Sequence, residues 1–280
     1  MFTIESKRVL TPVTKLIVVQ APMVARKAKP GQFVILRCTE NGERIPLTIA
    51  DYDREKGTIT LVYQEVGKTT RLLGKMRVGD AILDLVGPLG MPAELPKEGR
   101  VLCVGGGVGV APVYPKAKAM HQLGVDVVSI IGARSADLLI LEEEMRAVSS
   151  AVYVATDDGS RGHHGFVSDV IKQLLERGEK FDEIIAVGPI LMMRACAEVT
   201  RPYGVKTCVS MNPIMVDGTG MCGACRLSVG GKTKFCCVDG PMFDGHAVDW
   251  AEAVRRSRIY LEEEKVAVDH MNCAEGGCRS

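Results

Sequence analysis

Aromatic residues are sparse in this chain, 5% of 280 positions with a single tryptophan, which argues against a stacking platform for single-stranded nucleic acid. Neither sign of charge is in excess. The formal net charge of +1 removes any global electrostatic case for nucleic acid or a membrane surface. Long hydrophobic runs are missing as well: none reaches the roughly 18 residues that a bilayer-spanning helix needs. Residues 1–10 lack the apolar core of a signal peptide. These absences lead us to expect a cytoplasmic protein with no nucleic-acid and no membrane partner. Cysteine, by contrast, is plentiful, with ten residues. In a reducing compartment disulfides are the weaker explanation, and the thiols need another reason.

A length of 280 residues suggests about two domains, each large enough for a true core. The first hundred residues read as short strands at Thr3–Leu10, Lys15–Gln20, Phe33–Arg37, Pro46–Asp51, Thr58–Gln64 and Ala81–Val86, separated by turn clusters such as Lys29-Pro-Gly31 and Asn41-Gly42. Short strands without long helices between them predict a small antiparallel barrel or sandwich. From Arg100 the pattern changes to strand–helix alternation: strands at Arg100–Val104, Val125–Ile131, Val152–Thr156 and Glu183–Val187, helices at Ala111–Leu123, Leu139–Val148 and Phe166–Arg177. That alternation predicts a doubly wound parallel sheet. Regularity is expected to stop near Tyr203, and His246–Arg258 reads as a helix before an acidic tail ending in Cys273 and Cys278. The expected division is 1–97, 98–205, 206–245 and 246–280.

The richest segment is Val216-Asp-Gly-Thr-Gly-Met-Cys-Gly-Ala-Cys-Arg226 with Phe235-Cys-Cys-Val-Asp-Gly-Pro241. Plant-type ferredoxins hold a [2Fe–2S] cluster with C-x4-C-x2-C and a distant fourth cysteine. Here the spacing is D-x4-C-x2-C…C, with Asp217 in the first slot, then Cys222, Cys225 and Cys237. Glycines at 218, 220 and 223 suit a loop wrapped closely round an inorganic core. On spacing alone, zinc fits equally well and could also take Cys236 or an Asp oxygen.

Two further segments can bind phosphates. Leu102-Cys-Val-Gly-Gly-Gly-Val-Gly-Val-Ala-Pro112 sets glycines between a strand and a helix N-terminus, where backbone amides can meet a pyrophosphate. Its Gly107-x-Gly109-x-x-Pro112 is not the standard dinucleotide fingerprint. In the barrel, Arg44 of Arg44-Ile-Pro-Leu-Thr48 could neutralise a phosphate, with Thr48 on a flavin edge. Gly67-Lys-Thr-Thr70 could hold phosphate oxygens on amides. His163-His164, between glycines, read as exposed loop residues. Met192 and Met193 read as a helix start under the nucleotide or as core, and Cys38, Cys103 and Cys196 as buried thiols. Cys208, Cys236, Cys273 and Cys278 stay open.

Taken in order, these motifs resemble the ferredoxin–NADP reductase superfamily, and the cluster loop narrows the resemblance to two relatives. One is the electron-transfer subunit of dihydroorotate dehydrogenase. The other is the small subunit of the NADH-dependent reduced ferredoxin:NADP oxidoreductase, also called sulfide dehydrogenase. Lys29-Pro-Gly-Gln-Phe33, Gly87-Pro-Leu-Gly90, Thr156-Asp-Asp-Gly-Ser160 and Cys237-Val-Asp-Gly-Pro-Met-Phe-Asp-Gly-His246 match in sequence order. The first relative implies four cysteine ligands, whereas the second uses an Asp in the slot of Asp217 and is favoured. The resemblance implies FAD in the barrel, bound by Arg44, Pro46, Leu47, Thr48, Tyr63, Gly67, Thr69 and Thr70. It implies NAD(H) held by Gly107, Gly109, Val110, Asp157, Asp158 and Gly188, and a [2Fe–2S] cluster on Asp217, Cys222, Cys225 and Cys237. No catalytic acid or base is implied. The fold class expected is α/β plus all-β: an antiparallel β-barrel FAD domain, a doubly wound parallel-sheet nucleotide domain and a C-terminal iron–sulfur loop region. The partner implied is a larger subunit with FAD and [4Fe–4S] clusters, reaching ferredoxin and performing electron bifurcation. The alternatives are the dihydroorotate dehydrogenase subunit and a zinc-stabilised nucleotide-binding redox sensor.

Overall fold

The computed structural model describes residues 2–276. β1 (Phe2–Val9), β2 (Thr14–Gln20), β3 (Phe33–Arg37), β4 (Ile45–Asp53), β5 (Thr58–Gln64), β6 (Ala81–Ile82) and β7 (Asp84–Leu89) form one antiparallel sheet, ordered β6-β1-β2-β5-β4-β3-β7. Its two ends, β6 and β7, are separated only by Leu83. The same stretch of chain bonds β1 through Ala81 and Ile82 and β3 through Asp84–Leu89, so the sheet curls into a nearly closed barrel. The single strand expected at Ala81–Val86 is therefore two, broken where the chain changes partner. Two short helices interrupt the barrel, α1 (Pro22–Lys27) and α2 (Lys68–Lys75).

Period-two alternation sorts the barrel side chains. Val34, Leu36, Ile49, Ile59, Leu61 and Tyr63 fill the interior. Phe33 and Ile35 of β3, on the opposite face, belong to the core shared with the C-terminal segment. Ala50 and Val62 face outward into the core beneath the second sheet. A strand apolar on both faces is a strand buried on both faces.

The second sheet contains β8 (Arg100–Gly106), β9 (Asp126–Ala133), β10 (Ala151–Thr156), β11 (His163–His164), β12 (Glu183–Val187) and β13 (Lys206–Ser210), all parallel. β14 (Arg226–Val229) and β15 (Lys232–Phe235) make a separate hairpin, and β16 (Met242–Asp244) returns antiparallel to β13. The order is β11-β10-β9-β8-β12-β13-β16, so the winding reverses between β8 and β12. α3 (Val110–Gln122) and α4 (Glu142–Ala147) cover one face; α5 (Val167–Glu176) and α6 (Ile190–Thr200) cover the other. The regularity expected to end near Tyr203 continues: β13 and β16 extend the sheet into the cysteine-rich region. α7 (Cys236–Asp239), α8 (Trp250–Arg256) and α9 (Leu261–Gly276) complete the chain. The helix expected over His246–Arg258 starts only at Trp250, where Asp249 caps it by accepting from the Glu252 amide at 2.9 Å. Cys278 lies outside the described residues, as does the side chain of Cys273.

Candidate functional site

The cysteine pair is assembled by the β14–β15 hairpin. Gly230 and Gly231 at its tip have φ of 57° and 72°, the two positive values that a two-residue turn of this hand requires. Register then pairs Arg226 with Phe235, so Cys225 just before β14 lies beside the cysteines just after β15. The Cys225 and Cys237 sulfurs are 3.3 Å apart, and the Cys237 amide donates to the Cys225 sulfur at 3.4 Å. Both residues are buried, and burial, with the neighbouring Cys225 sulfur, pushes the Cys237 thiol up to about 12. Cys236 points the other way on the one-turn α7 and donates to the Met211 carbonyl at 3.2 Å in the core. Adjacent residues on a helical turn face different directions, which separates the two neighbours in the sequence.

Asp217 and the exposed Cys222 form the outer rim. The Asp217 carboxylate accepts from the Thr219 hydroxyl and from the Met221 and Cys222 amides at 3.0 and 3.2 Å. The Thr219 hydroxyl, with those amides, holds its pKa down to about 2. Among the described residues no three His, Cys, Asp or Glu side chains gather round one point, as a single structural zinc requires. The donors stand instead as a buried thiol pair and an outer rim of one carboxylate and one thiol. Three thiols and a carboxylate, split in this way, fit a two-iron cluster. The loop is pressed against the barrel. Gly218 has φ of 81°, and a Cβ there would sit 2.6 Å from Ile35 Cδ1 and 2.8 Å from Leu89 Cδ1. The Met91 amide donates to the Gly240 carbonyl at 2.7 Å from the barrel side.

The reversal of winding between β8 and β12 makes a crevice at their carboxyl ends, where open α/β sheets bind ligands. A Cβ on Gly109 would lie 2.3 Å from the Val187 carbonyl oxygen and 2.7 Å from Gly188 Cα, so the two loops meet backbone to backbone. Gly107, with φ of 54°, has open space where its side chain would be. Such a cradle, lined by backbone at a helix start, fits a pyrophosphate. Val110 is buried in the core, and its amide donates to the Gly107 carbonyl, so it supports the cradle from behind. The Met192 thioether wedges beside Gly106 and Gly188, while Met193 is core. Asp157 and Asp158 lie two strands away, past the end of β10. Asp158 accepts from the Ser160 amide at 2.9 Å and hydroxyl at 2.6 Å, which lower its pKa. Arg161 pairs with Glu142 at 2.8 Å. His163 is half-buried in β11, 3.5 Å from the Gln173 amide nitrogen, whereas His164 is exposed as expected.

On the barrel, the expected flavin residues divide. Pro46 and Thr48 pair with Ile35 and Phe33 and share their outward face. Leu47 packs with the barrel interior and Tyr63 is 1% exposed within it. A flavin outside the barrel therefore cannot meet the Tyr63 ring, which is corrected to core, whereas Leu47 is half-buried against that core. The Tyr63 hydroxyl is buried without a hydrogen-bond partner, and burial raises its pKa. The Arg44 guanidinium lies on the loop that carries Asp217, donating from Nε to the Val216 carbonyl at 2.8 Å and from Nη2 to the Asp217 carbonyl at 3.4 Å. Thr69 donates to Glu43 at 3.1 Å. The Thr70 hydroxyl accepts from the Gly67 amide and donates to its carbonyl. What remains for a phosphate is the first-turn backbone of α2, with open space over Gly67. Sequence reasoning missed Phe33, Ile35 and Leu89 as the floor of the cluster loop. The unbroken apolar run Phe33–Leu36 was the available signal.

Residues 212–249 match the iron–sulfur cluster binding domain of dihydroorotate dehydrogenase B, and residues 103–198 match the oxidoreductase NAD-binding domain. The dihydroorotate dehydrogenase B (NAD(+)) electron transfer subunit homolog of Thermotoga maritima is 50% identical over 90% of this chain and 88% of its own length. The dihydroorotate dehydrogenase B (NAD(+)) electron transfer subunit of Geobacillus thermodenitrificans is 38% identical over 86% and 95%. A chain in the solved structure of the NADH-dependent reduced ferredoxin-NADP oxidoreductase superposes with a TM-score of 0.92 at 46% identity, covering 97% of this chain and 98% of that one.

Proposed function

Since this chain belongs to the family of dihydroorotate dehydrogenase B electron-transfer subunits and their homologues, we propose that it is an electron-transfer oxidoreductase subunit using NAD(H), FAD and a [2Fe–2S] cluster. Bound FAD would supply the exchange between the electron pair of a hydride and single electrons, and the cluster would supply single-electron transfer. The protein's own part is placement. Gly107, Gly109 and Gly188 offer backbone to a pyrophosphate at the sheet crevice, with Val110 packed behind them and Asp157 and Asp158 along the same edge. Pro46 and Thr48 line the outward face of β4, and Gly67, Thr69 and Thr70 offer the start of α2. Asp217, Cys222, Cys225 and Cys237 are the proposed cluster ligands.

The observation that carries this reading is the Cys225–Cys237 thiol pair on a loop whose Gly218 rests on Ile35 and Leu89. A redox centre there stands beside the outward face of β3 and β4. Iron, acid-labile sulfide and flavin analysis of anaerobically purified protein tests it. Stoichiometric amounts of all three are expected; zinc without sulfide contradicts it.

The relatives are subunits of larger assemblies, which supports a larger partner. We assign that partner to the ferredoxin:NADP oxidoreductase type, bearing FAD and [4Fe–4S] clusters and reaching ferredoxin in electron bifurcation. The carboxylate at Asp217, where dihydroorotate dehydrogenase partners are expected to carry cysteine, favours it over them. Co-purification decides between the two, because each large subunit differs in cofactors. Among the described residues no helix is long and apolar enough to cross a membrane, and a cytoplasmic location is proposed with it.

A further inference from the structure

We propose that Arg44 is the positioning residue of the cluster loop, tying it to the barrel strand that faces the flavin and so linking retention of the two groups. The proposal rests on reading residues 217–237 as the cluster site. Arg44 precedes β4 and projects from the same face as Pro46 and Thr48. Its two hydrogen bonds reach the carbonyl of the ligand Asp217 and that of Val216 before it. Hydrogen bonds from a charged donor are about twice as strong as neutral ones. Arg44 enters no ion pair among the described residues, so its charge is committed to these carbonyls. The loop has few other anchors on this side. Val216 is 47% and Met221 88% exposed, and the contact of Gly218 with Ile35 and Leu89 is apolar. A lysine has one point charge and cannot reproduce the planar two-nitrogen fork.

This linkage is reciprocal: whatever holds β4 in place holds the loop, and the loop in turn holds β4. Arg44→Met and Arg44→Lys test it, with Arg37→Gln as a control that removes the surface pair with Asp84 from the same barrel. Four readouts apply to the full chain as purified: hydrogen–deuterium exchange over 214–222, half-life of the visible cluster absorbance under chelator, flavin content after desalting, and the electron paramagnetic resonance line shape of the reduced cluster. For Arg44→Met, exchange and cluster loss are each expected to accelerate roughly tenfold, with an altered line shape. Arg44→Lys should fall between, and Arg37→Gln should match the parent. Unchanged exchange and cluster lifetime in Arg44→Met overturns the proposal, as does flavin loss with an undisturbed loop. The exchange readout needs no cluster, so its failure is distinct from failure of the function proposed above.

Discussion

At the scale of single residues, the adjacent pair Cys236 and Cys237 separates the proposed ligand from a core thiol. Cys237→Ser is expected to abolish the cluster's visible absorbance. Cys236→Ser should keep it at a stability change within about 2 kcal/mol, since the serine hydroxyl can still donate to the Met211 carbonyl. Equal loss in both variants would reassign the ligand. Asp217→Cys supplies a softer thiolate and is expected to keep the cluster while moving its midpoint potential; an unmoved potential in a redox titration removes Asp217 from the ligand set. Lys116 makes a third case. It is fully buried on α3, donates to the Pro112 carbonyl at 2.7 Å, and burial lowers its pKa from 10.5 to about 8. Between pH 8 and 10.5 the unfolded chain therefore binds the extra proton, so stability should rise with pH by about 3 kcal/mol and level off above. Lys116→Met should flatten that rise in denaturant titrations; an identical pH profile contradicts the buried charge.

At the scale of elements, patterns confined to one strand were readable and pairings between distant segments were not. Phe33–Arg37 and Thr58–Gln64 were legible to the residue because apolar runs end at turn signals. α1 went unread although Pro22 at its first turn was a usable sign. β13 and β16 went unread because five- and three-residue strands draw their stability from neighbours that only the sheet supplies. The site divides the same way. The Cys225…Cys237 spacing was legible, whereas the inward turn of Leu47 and Tyr63 depended on register. Gly218 marks where loop and barrel meet. Gly218→Ala, forced to φ of 81° against Ile35 and Leu89, is expected to cost about 1–3 kcal/mol and to speed cluster loss. An unchanged melting point and cluster lifetime would show that the contact is dispensable.

At the scale of the whole molecule, three cores meet at β3 and β4: the barrel interior on their inward face and, on their outward face, the α3 side of the sheet through Ala50 and the α5–α6 side, which includes Cys225 and Cys237, through Phe33 and Ile35. The proposed pyrophosphate crevice, the proposed flavin face and the thiol pair thereby sit on one continuous scaffold. The most direct test is low-temperature electron paramagnetic resonance of the anaerobic protein after NADH addition. The account predicts the signal of a reduced [2Fe–2S] centre, retained in Cys236→Ser and lost in Cys225→Ser and Cys237→Ser. A silent spectrum from protein that contains flavin but no iron would contradict it.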